Sequence, residues 1–189
     1  MKVIKTKLEG VVIIEPQVFF DDRGYFFESF SQQRFNEQVA PITFVQDNES
    51  KSSYGVLRGL HFQKPPFAQS KLVRVVKGKV LDVAVDLRKG SPTFGQYESV
   101  VLCDENKRQF FIPQGFAHGF ATLTPNVNFM YKCDNYYNAE ADAGIAFDDK
   151  ELEIDWQIDL SKAITSEKDA KHPTFKEYEA NNDFVYGEV

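Results

Sequence analysis

The stretch "KGKVLDVAVDL", Lys77 to Leu87, decides how the rest of the chain is read. Leu81, Val83, Val85 and Leu87 recur at every second residue, with Asp82 and Asp86 between them. A period of two marks a strand, because successive side chains leave an extended backbone on opposite faces. Val80 and Ala84 soften the aspartate face. Lys77-Gly78 supplies a hairpin turn just before the strand.

Working outward, the β pattern continues. From Lys71 onward it takes in Gln96 to Leu102, Arg108 to Ile112, Gly119 to Leu123 and Val127 to Cys133. Gly90, Pro92, Asn106, Gly115 and Pro125 fall in the short loops between them. Many short strands at close spacing predict a sandwich or barrel, and the lack of a βαβ rhythm argues against a doubly wound sheet. Upstream, Val11 to Phe20 reads as a strand pair or an irregular edge strand broken at Pro16. Asp21 to Gly24 is a turn, and Tyr25 to Phe27 resumes an apolar segment. Ser29 to Val39 predicts a short helix: Ser29 with Gln32 resembles a capping box, Phe35 and Val39 form an i, i+4 pair, and Pro41 stops it. Asp148 to Lys171 is acidic, and "SEKDA", Ser166 to Ala170, reads as a helical turn or a loop. No linker, repeat or low-complexity segment divides residues 1–189, so a single domain is expected.

Composition narrows the function. A net charge of −6 disfavours binding to a nucleic-acid polymer, while leaving room for a local basic pocket that takes one small anion. Cys103 and Cys133 are too few for a disulfide framework. Val11 to Ile14 is far too short for a secretory core, and nothing approaches the ~20 apolar residues of a membrane span. A cytoplasmic protein with no membrane partner is the expectation. "RKGSPTFG", Arg88 to Gly95, lacks phosphate-loop spacing, and no dinucleotide fingerprint or serine nucleophile elbow occurs.

Some polar residues are in phase with apolar faces. Tyr131 shares its strand face with Val127, Phe129 and Cys133. Lys71 shares one with Val73 and Val75, which leaves two readings: it snorkels to water from the strand end, or it faces a cavity. In "RGLHFQKPP", Arg58 to Pro66, strict alternation puts Arg58 and His61 on opposite faces, and a bend at Gly59 would bring them together. One histidine, one tyrosine, one lysine and nearby arginines suit proton transfer on an anionic substrate.

Four stretches then carry a resemblance: "DDRGYFFESF" (Asp21 to Phe30), "QDNESKSSYGVLRGLHFQ" (Gln46 to Gln63), "QSKLVRVVKGKVLDVAVDLRKGSPTFGQY" (Gln69 to Tyr97) and "NKRQFFIPQGFAHGF" (Asn106 to Phe120). In this order they resemble the dTDP-4-dehydrorhamnose 3,5-epimerase family, over about Gly10 to Pro173. The resemblance implies an all-β, cupin-like jelly-roll barrel with short peripheral helices, working as a homodimer. It implies a dTDP-4-keto-6-deoxyhexose substrate, inverted at C3 and C5, and no metal or redox cofactor. A cupin metal cluster would need a second histidine where Gln63 stands, and no glutamate follows within reach. His118 and His172 do not rebuild it.

By the same resemblance the catalytic base falls on His61, its orienting carboxylate on Asp169, the opposite-face acid on Tyr131 and the lysine near the C4 oxygen on Lys71. Arg58 falls at the pocket. Nucleotide and phosphate positions fall on Arg23, Glu28, Gln46, Asn48, His118 and Tyr137, the last in a less regular motif. Phe20 and Phe27 match positions that enclose the base, and the N-terminal segment of one protomer would complete its partner's site. The chemistry fits these residue types. A C4 ketone acidifies the hydrogens on C3 and C5, histidine can accept a proton near neutral pH, and a cation can hold the enolate oxygen. Phe147, Gln157 and Tyr97 depart from the family pattern and remove none of these groups. An enzyme inverting only C5 or only C3 is the alternative reading, and a non-catalytic sugar-nucleotide-binding module a further one.

Overall fold

In the computed structural model, which describes residues 1–188, the alternating sequence segments become strands. In chain order these are β1 (Lys2–Lys5), β2 (Val12–Glu15), β3 (Phe19–Asp21), β4 (Gly24–Phe26), β5 (Gln46–Ser52), β6 (Leu57–Gln63), β7 (Lys71–Lys77) and β8 (Lys79–Asp86). There follow β9 (Arg88–Lys89), β10 (Tyr97–Cys103), β11 (Gln109–Ile112), β12 (Phe116–Thr122), β13 (Val127–Cys133), β14 (Asp142–Gly144) and β15 (Phe184–Val185). Helix α1 (Gln32–Gln38) lies between β4 and β5, and α2 (Phe175–Ala180) lies before β15.

The expected closed barrel does not form. Two separate open sheets pack together, one of six strands ordered β1-β2-β11-β7-β13-β5 and one of five ordered β10-β8-β12-β6-β14. Closure needs a hydrogen-bonded ladder running all the way round. Here no strand belongs to both sheets, and the ends are left as edges at β1, β5, β10 and β14. Side chains join the sheets instead, as in a sandwich. Val73, Val75, Phe110, Val127 and Phe129 of the larger sheet meet Val80, Ala84, Val100, Leu102 and Phe120 of the smaller one in a common core.

Both faces of β8 are used. Val80, Asp82 and Ala84 point between the sheets, while Leu81, Val83 and Val85, with Leu87 just beyond, pack outward on Ile145, Leu152, Trp156, Phe175, Tyr178 and Phe184. The acidic C-terminal quarter is therefore a cover for the five-stranded sheet. Its apolar residues are sparse, but Trp156 and Phe184 are almost wholly buried. Across the other sheet, Phe35 of α1 sits on Val12, Ile14, Leu72 and Phe111.

Helix α1 is shorter than the sequence suggests. Its N-cap is Ser31, whose side chain accepts from the Arg34 amide at 3.4 Å. Ser29 lies outside the helix, and its carbonyl accepts from the Gln109 side chain at 2.7 Å. Gln32 closes no capping box; its amide donates to Asn36 and to the Ile42 carbonyl. Pro16 does separate two strands, and Asp21 to Gly24 forms the tip of an exposed β3–β4 hairpin. Cys103 and Cys133 are both free and buried. No helix among the described residues is long and apolar enough to cross a membrane.

Candidate active site

Strand β6 pairs with β12, and their register slips between His118 and Phe120. His61 lies opposite His118, yet Arg58 lies opposite Phe120, so the β6 strand carries one extra residue over this interval. Such a bulge breaks the alternation. Arg58 and His61 consequently face the same cavity, together with Lys71, His118 and Tyr131. Gly59 makes this possible. Its φ is +134°, and a Cβ there would lie 2.5 Å from Gly119 Cα. Only glycine accepts that conformation and that approach.

Lys71 and Tyr131 arrive from the opposite sheet. In the β7–β13 pairing Tyr131 faces Val73 and Cys133 faces Lys71, so lysine and tyrosine share the inward row. Strand β5 adds Gln46 and Asn48, opposite Cys133 and Tyr131. A cavity of about 310 Å³ is lined by Gln46, Asn48, His61, Lys71, Tyr131 and Tyr137, among others. A neighbouring cavity of about 190 Å³ holds Arg58 and His118 and shares His61, Lys71 and Tyr131 with the first. Of the two readings left open for Lys71, the cavity-facing one is observed.

Asp169 comes from the far end of the chain, on a short 3-10 turn, Asp169–Lys171, and is buried. His61 Nε2 lies 2.6 Å from its Oδ1. An ionised carboxylate can only accept, so this nitrogen carries the proton and Nδ1 is left as a free acceptor. Burial alone would push the Asp169 carboxyl up, but the imidazoles of His172 and His61 and the Ser166 hydroxyl outweigh it and hold the carboxyl well below the usual range. His61 is itself held below the ordinary histidine value. Burial is the main cause, opposed by Asp169 and reinforced by Lys71 and His172.

The Lys71 ammonium is also pushed down, by burial first. The Cys133 thiol is no real counter-charge, since burial raises it to about 11. Asp82 and Asp142 supply negative potential, but Asp82 is engaged by His118 at 2.9 Å and Asp142 by Lys168. Among the described residues, Lys71 therefore faces the cleft with no dedicated partner. Tyr131 is pushed up by burial, which keeps its phenol protonated; Arg58 works against this.

Nine of the thirteen residues singled out by the sequence come together in one chain: His61, Asp169, Lys71, Tyr131, Arg58, His118, Gln46, Asn48 and Tyr137. Tyr137 donates its hydroxyl to Asp142 at 3.1 Å on the cleft rim. The other four stay apart. Phe20 and Arg23 lie on the exposed hairpin, and Phe27 and Glu28 just after it. Arg23 is tied to Asp21 at 2.5 Å and Glu28 to Arg34 at 3.3 Å.

Three further residues escaped the sequence reading. Asp82 faces the core interior and binds His118, although an alternating aspartate usually faces water. Ser50 lines the smaller cavity with a buried hydroxyl that has no partner among the described residues. His172 lies beside Asp169, with its ring edge-on to His61 at 5.6 Å. Among these, only Asp82 left a trace, in the apolar residues Val80 and Ala84 that share its face.

Comparison with known proteins identifies the family. A family model described as dTDP-4-dehydrorhamnose 3,5-epimerase matches residues 5–177. The dTDP-4-dehydrorhamnose 3,5-epimerase of Shigella flexneri is 52% identical over 93% of this chain and 96% of its own. The crystal structure of dTDP-4-dehydrorhamnose 3,5-epimerase from Elizabethkingia anophelis superposes with a TM-score of 0.90 at 52% identity, covering 95% of this chain and 98% of that one. A dTDP-6-deoxy-D-glucose-3,5-epimerase from Legionella pneumophila, solved with dTDP-4-keto-L-rhamnose, gives a TM-score of 0.93 at 46% identity, covering 98% of each chain. The chain belongs to the dTDP-4-dehydrorhamnose 3,5-epimerase family.

Proposed function

We propose that this protein inverts C3 and C5 of dTDP-4-dehydro-6-deoxy-D-glucose to give dTDP-4-dehydro-L-rhamnose. Family membership supports the reaction. The observation that carries the mechanism is a neutral His61, oriented by Asp169, in a cleft shared with a protonated Tyr131 and an unpaired Lys71. His61 Nδ1 takes the proton from C3 or C5, and the bonding pair moves into an enolate whose oxygen is held by Lys71, with Arg58 nearby. Tyr131 returns a proton to the opposite face. Solvent then resets imidazolium and phenolate, so each inverted centre acquires a solvent hydrogen. No redox step is involved, and the proposed chemistry calls for neither metal nor cofactor.

His118, Gln46, Asn48 and Tyr137 bind the sugar and its diphosphate, a reading supported by their lining the two adjoining cavities. Phe20, Arg23, Phe27 and Glu28 act across a homodimer, reaching the partner's cleft. The exposure of Phe20 (77%) and Phe26 (72%) supports this, since aromatics so bare on a projecting hairpin invite cover. Residues 1–189 work as one domain, in the cytoplasm, without nucleic-acid or membrane partners.

Proton NMR in deuterated water, with dTDP-4-keto-6-deoxy-D-glucose and no reductant, tests the reading. Loss of both the C3 and C5 proton signals is expected. Loss at one centre alone would replace it with a single-site epimerase, and no loss with folded protein would refute the activity.

A further inference from the structure

We propose that His61, Asp169 and His172 form a binding site for a single zinc ion, and that zinc held there switches the epimerase off. The donor atoms of these three side chains all lie within 4.8 Å of one another. Asp169 Oδ1 stands 2.6 Å from His61 Nε2 and 3.7 Å from His172 Nε2. Tetrahedral zinc with bonds near 2.0–2.1 Å separates its ligands by about 3.3 Å. Reaching that spacing opens the first gap by about 0.7 Å, closes the second by about 0.4 Å and draws the two imidazole nitrogens, which lie within 4.8 Å of each other, together by up to about 1.5 Å.

His172 is what turns the dyad into a site. Its Nε2 is buried and lies 3.7 Å from Asp169 Oδ1, beyond close hydrogen-bond distance, with no nearer partner among the described residues. Its place is carved out by Gly144, where a Cβ would lie 2.5 Å from that nitrogen. His172 also lines an outer groove of about 1010 Å³ with Asp142, Lys168 and Tyr178, whereas His61 opens onto the cleft. Two imidazoles and one carboxylate suit zinc, while magnesium prefers an all-oxygen shell.

Inhibition follows from the tautomer, and so rests on His61 being the proton acceptor proposed above. In the free protein Nε2 carries the proton toward Asp169, and Nδ1 is bare. Zinc needs the Nε2 lone pair, so in the neutral ring the proton moves to Nδ1. His61 then presents a donor to the substrate and can no longer accept from carbon. The carboxylate that oriented the ring is occupied by the ion as well.

The test titrates the metal-stripped full chain with zinc chloride. A chromophoric zinc indicator reads binding, while hydrogen exchange at C3 and C5 is followed in parallel at fixed free zinc. One ion per chain should bind, exchange should vanish as the site fills, and a chelator should restore it. His172→Ala and His172→Gln should lose both zinc binding and zinc inhibition, each read against that variant's own zinc-free exchange rate; the glutamine variant keeps the bulk if alanine destabilises the turn. Binding as tight in both variants as in the wild type, or no binding to the wild type, would overturn the site. Zinc bound in a His172-dependent way while exchange continues would overturn the inhibition, and would count against His61 as the base rather than against the site. Chelation that inactivated the wild type would make the ion an activator and refute the proposal.

Discussion

His61 Nε2 and Asp169 Oδ1 are 2.6 Å apart, although 108 residues of chain separate them. The carboxylate fixes which nitrogen carries the proton and stabilises the imidazolium formed in the reaction. Asp169→Asn keeps the shape, but its amide can donate as well as accept and so no longer enforces the tautomer. A fall in kcat of about 10²–10⁴-fold is expected, by analogy with other His–carboxylate pairs. KM should change little and the circular dichroism spectrum should be that of the wild type. A loss confined to KM would mean that Asp169 serves binding instead.

The depressed titration of His61 fixes the sign of the pH dependence. Burial favours the neutral ring, so kcat/KM should stay level on descending through neutrality and fall only below the ordinary histidine value of 6.5. Stability follows the same direction. The folded protein binds the proton less readily than the unfolded chain, so the contribution is complete above the unfolded value and is lost as pH falls through the folded one. Melting curves of wild type and His61→Gln, compared from about pH 8 to pH 5, should therefore converge toward the acid end. Divergence there would reverse the sign assigned to His61.

Lys71 lies in the inward row of β7 with its most accessible carboxylates engaged elsewhere. Burying an ammonium without a direct partner is unfavourable, so this residue opposes folding while it serves the reaction. Lys71→Met is expected to raise the melting temperature and to cut kcat by about 10²–10³-fold, the usual cost of losing one oxyanion-stabilising group. Removing that positive charge should also move the acid limb of the rate profile upward, because Lys71 helps depress His61. A variant with near wild-type kcat would take Lys71 out of enolate stabilisation.

Much of this site is legible in the sequence because strand periodicity reports which side chains share a face. Lys71 and Tyr131 can be placed by counting twos from their apolar neighbours, and both line the cleft. Arg58 and His61 need more, since the bulge at Gly59 shifts the count; the glycine hints at it, but the slip is set by the close approach of Gly119. Asp169 is invisible to periodicity. It sits in a charged stretch and becomes buried only because the C-terminal segment folds back over the five-stranded sheet, and resemblance alone joined it to His61. Periodicity left sandwich and barrel open, and the closed barrel implied by the resemblance does not form. Alternation identifies strands and their faces, while the choice between a closed ladder and two open sheets depends on which edges pair, and no single strand's pattern encodes that.

The exposed hairpin makes the strongest demand on assembly. Phe20 and Arg23 belong to β3–β4 and its turn, a two-stranded ribbon separate from the two sheets that build the cleft, and among the described residues Arg23 is paired with Asp21. If the hairpin completes the partner's cleft, a chain with a damaged hairpin and a chain with a damaged base should rescue each other. Arg23→Ala with Phe20→Ala would lack the arm, and His61→Ala would lack the base. Each homodimer should be nearly inactive. After mixing, unfolding and refolding together, heterodimers pair an intact cleft with an intact arm, and each should carry one working site. Random pairing puts half of the dimers in that state, so exchange activity should return to about a quarter of the wild-type value per chain, given the two-fold symmetry of such dimers. Gel filtration run alongside would show whether both variants still assemble. Dimers that form normally yet show no recovery would place Phe20 and Arg23 outside the partner's site and leave the aromatic hairpin with a purely structural role.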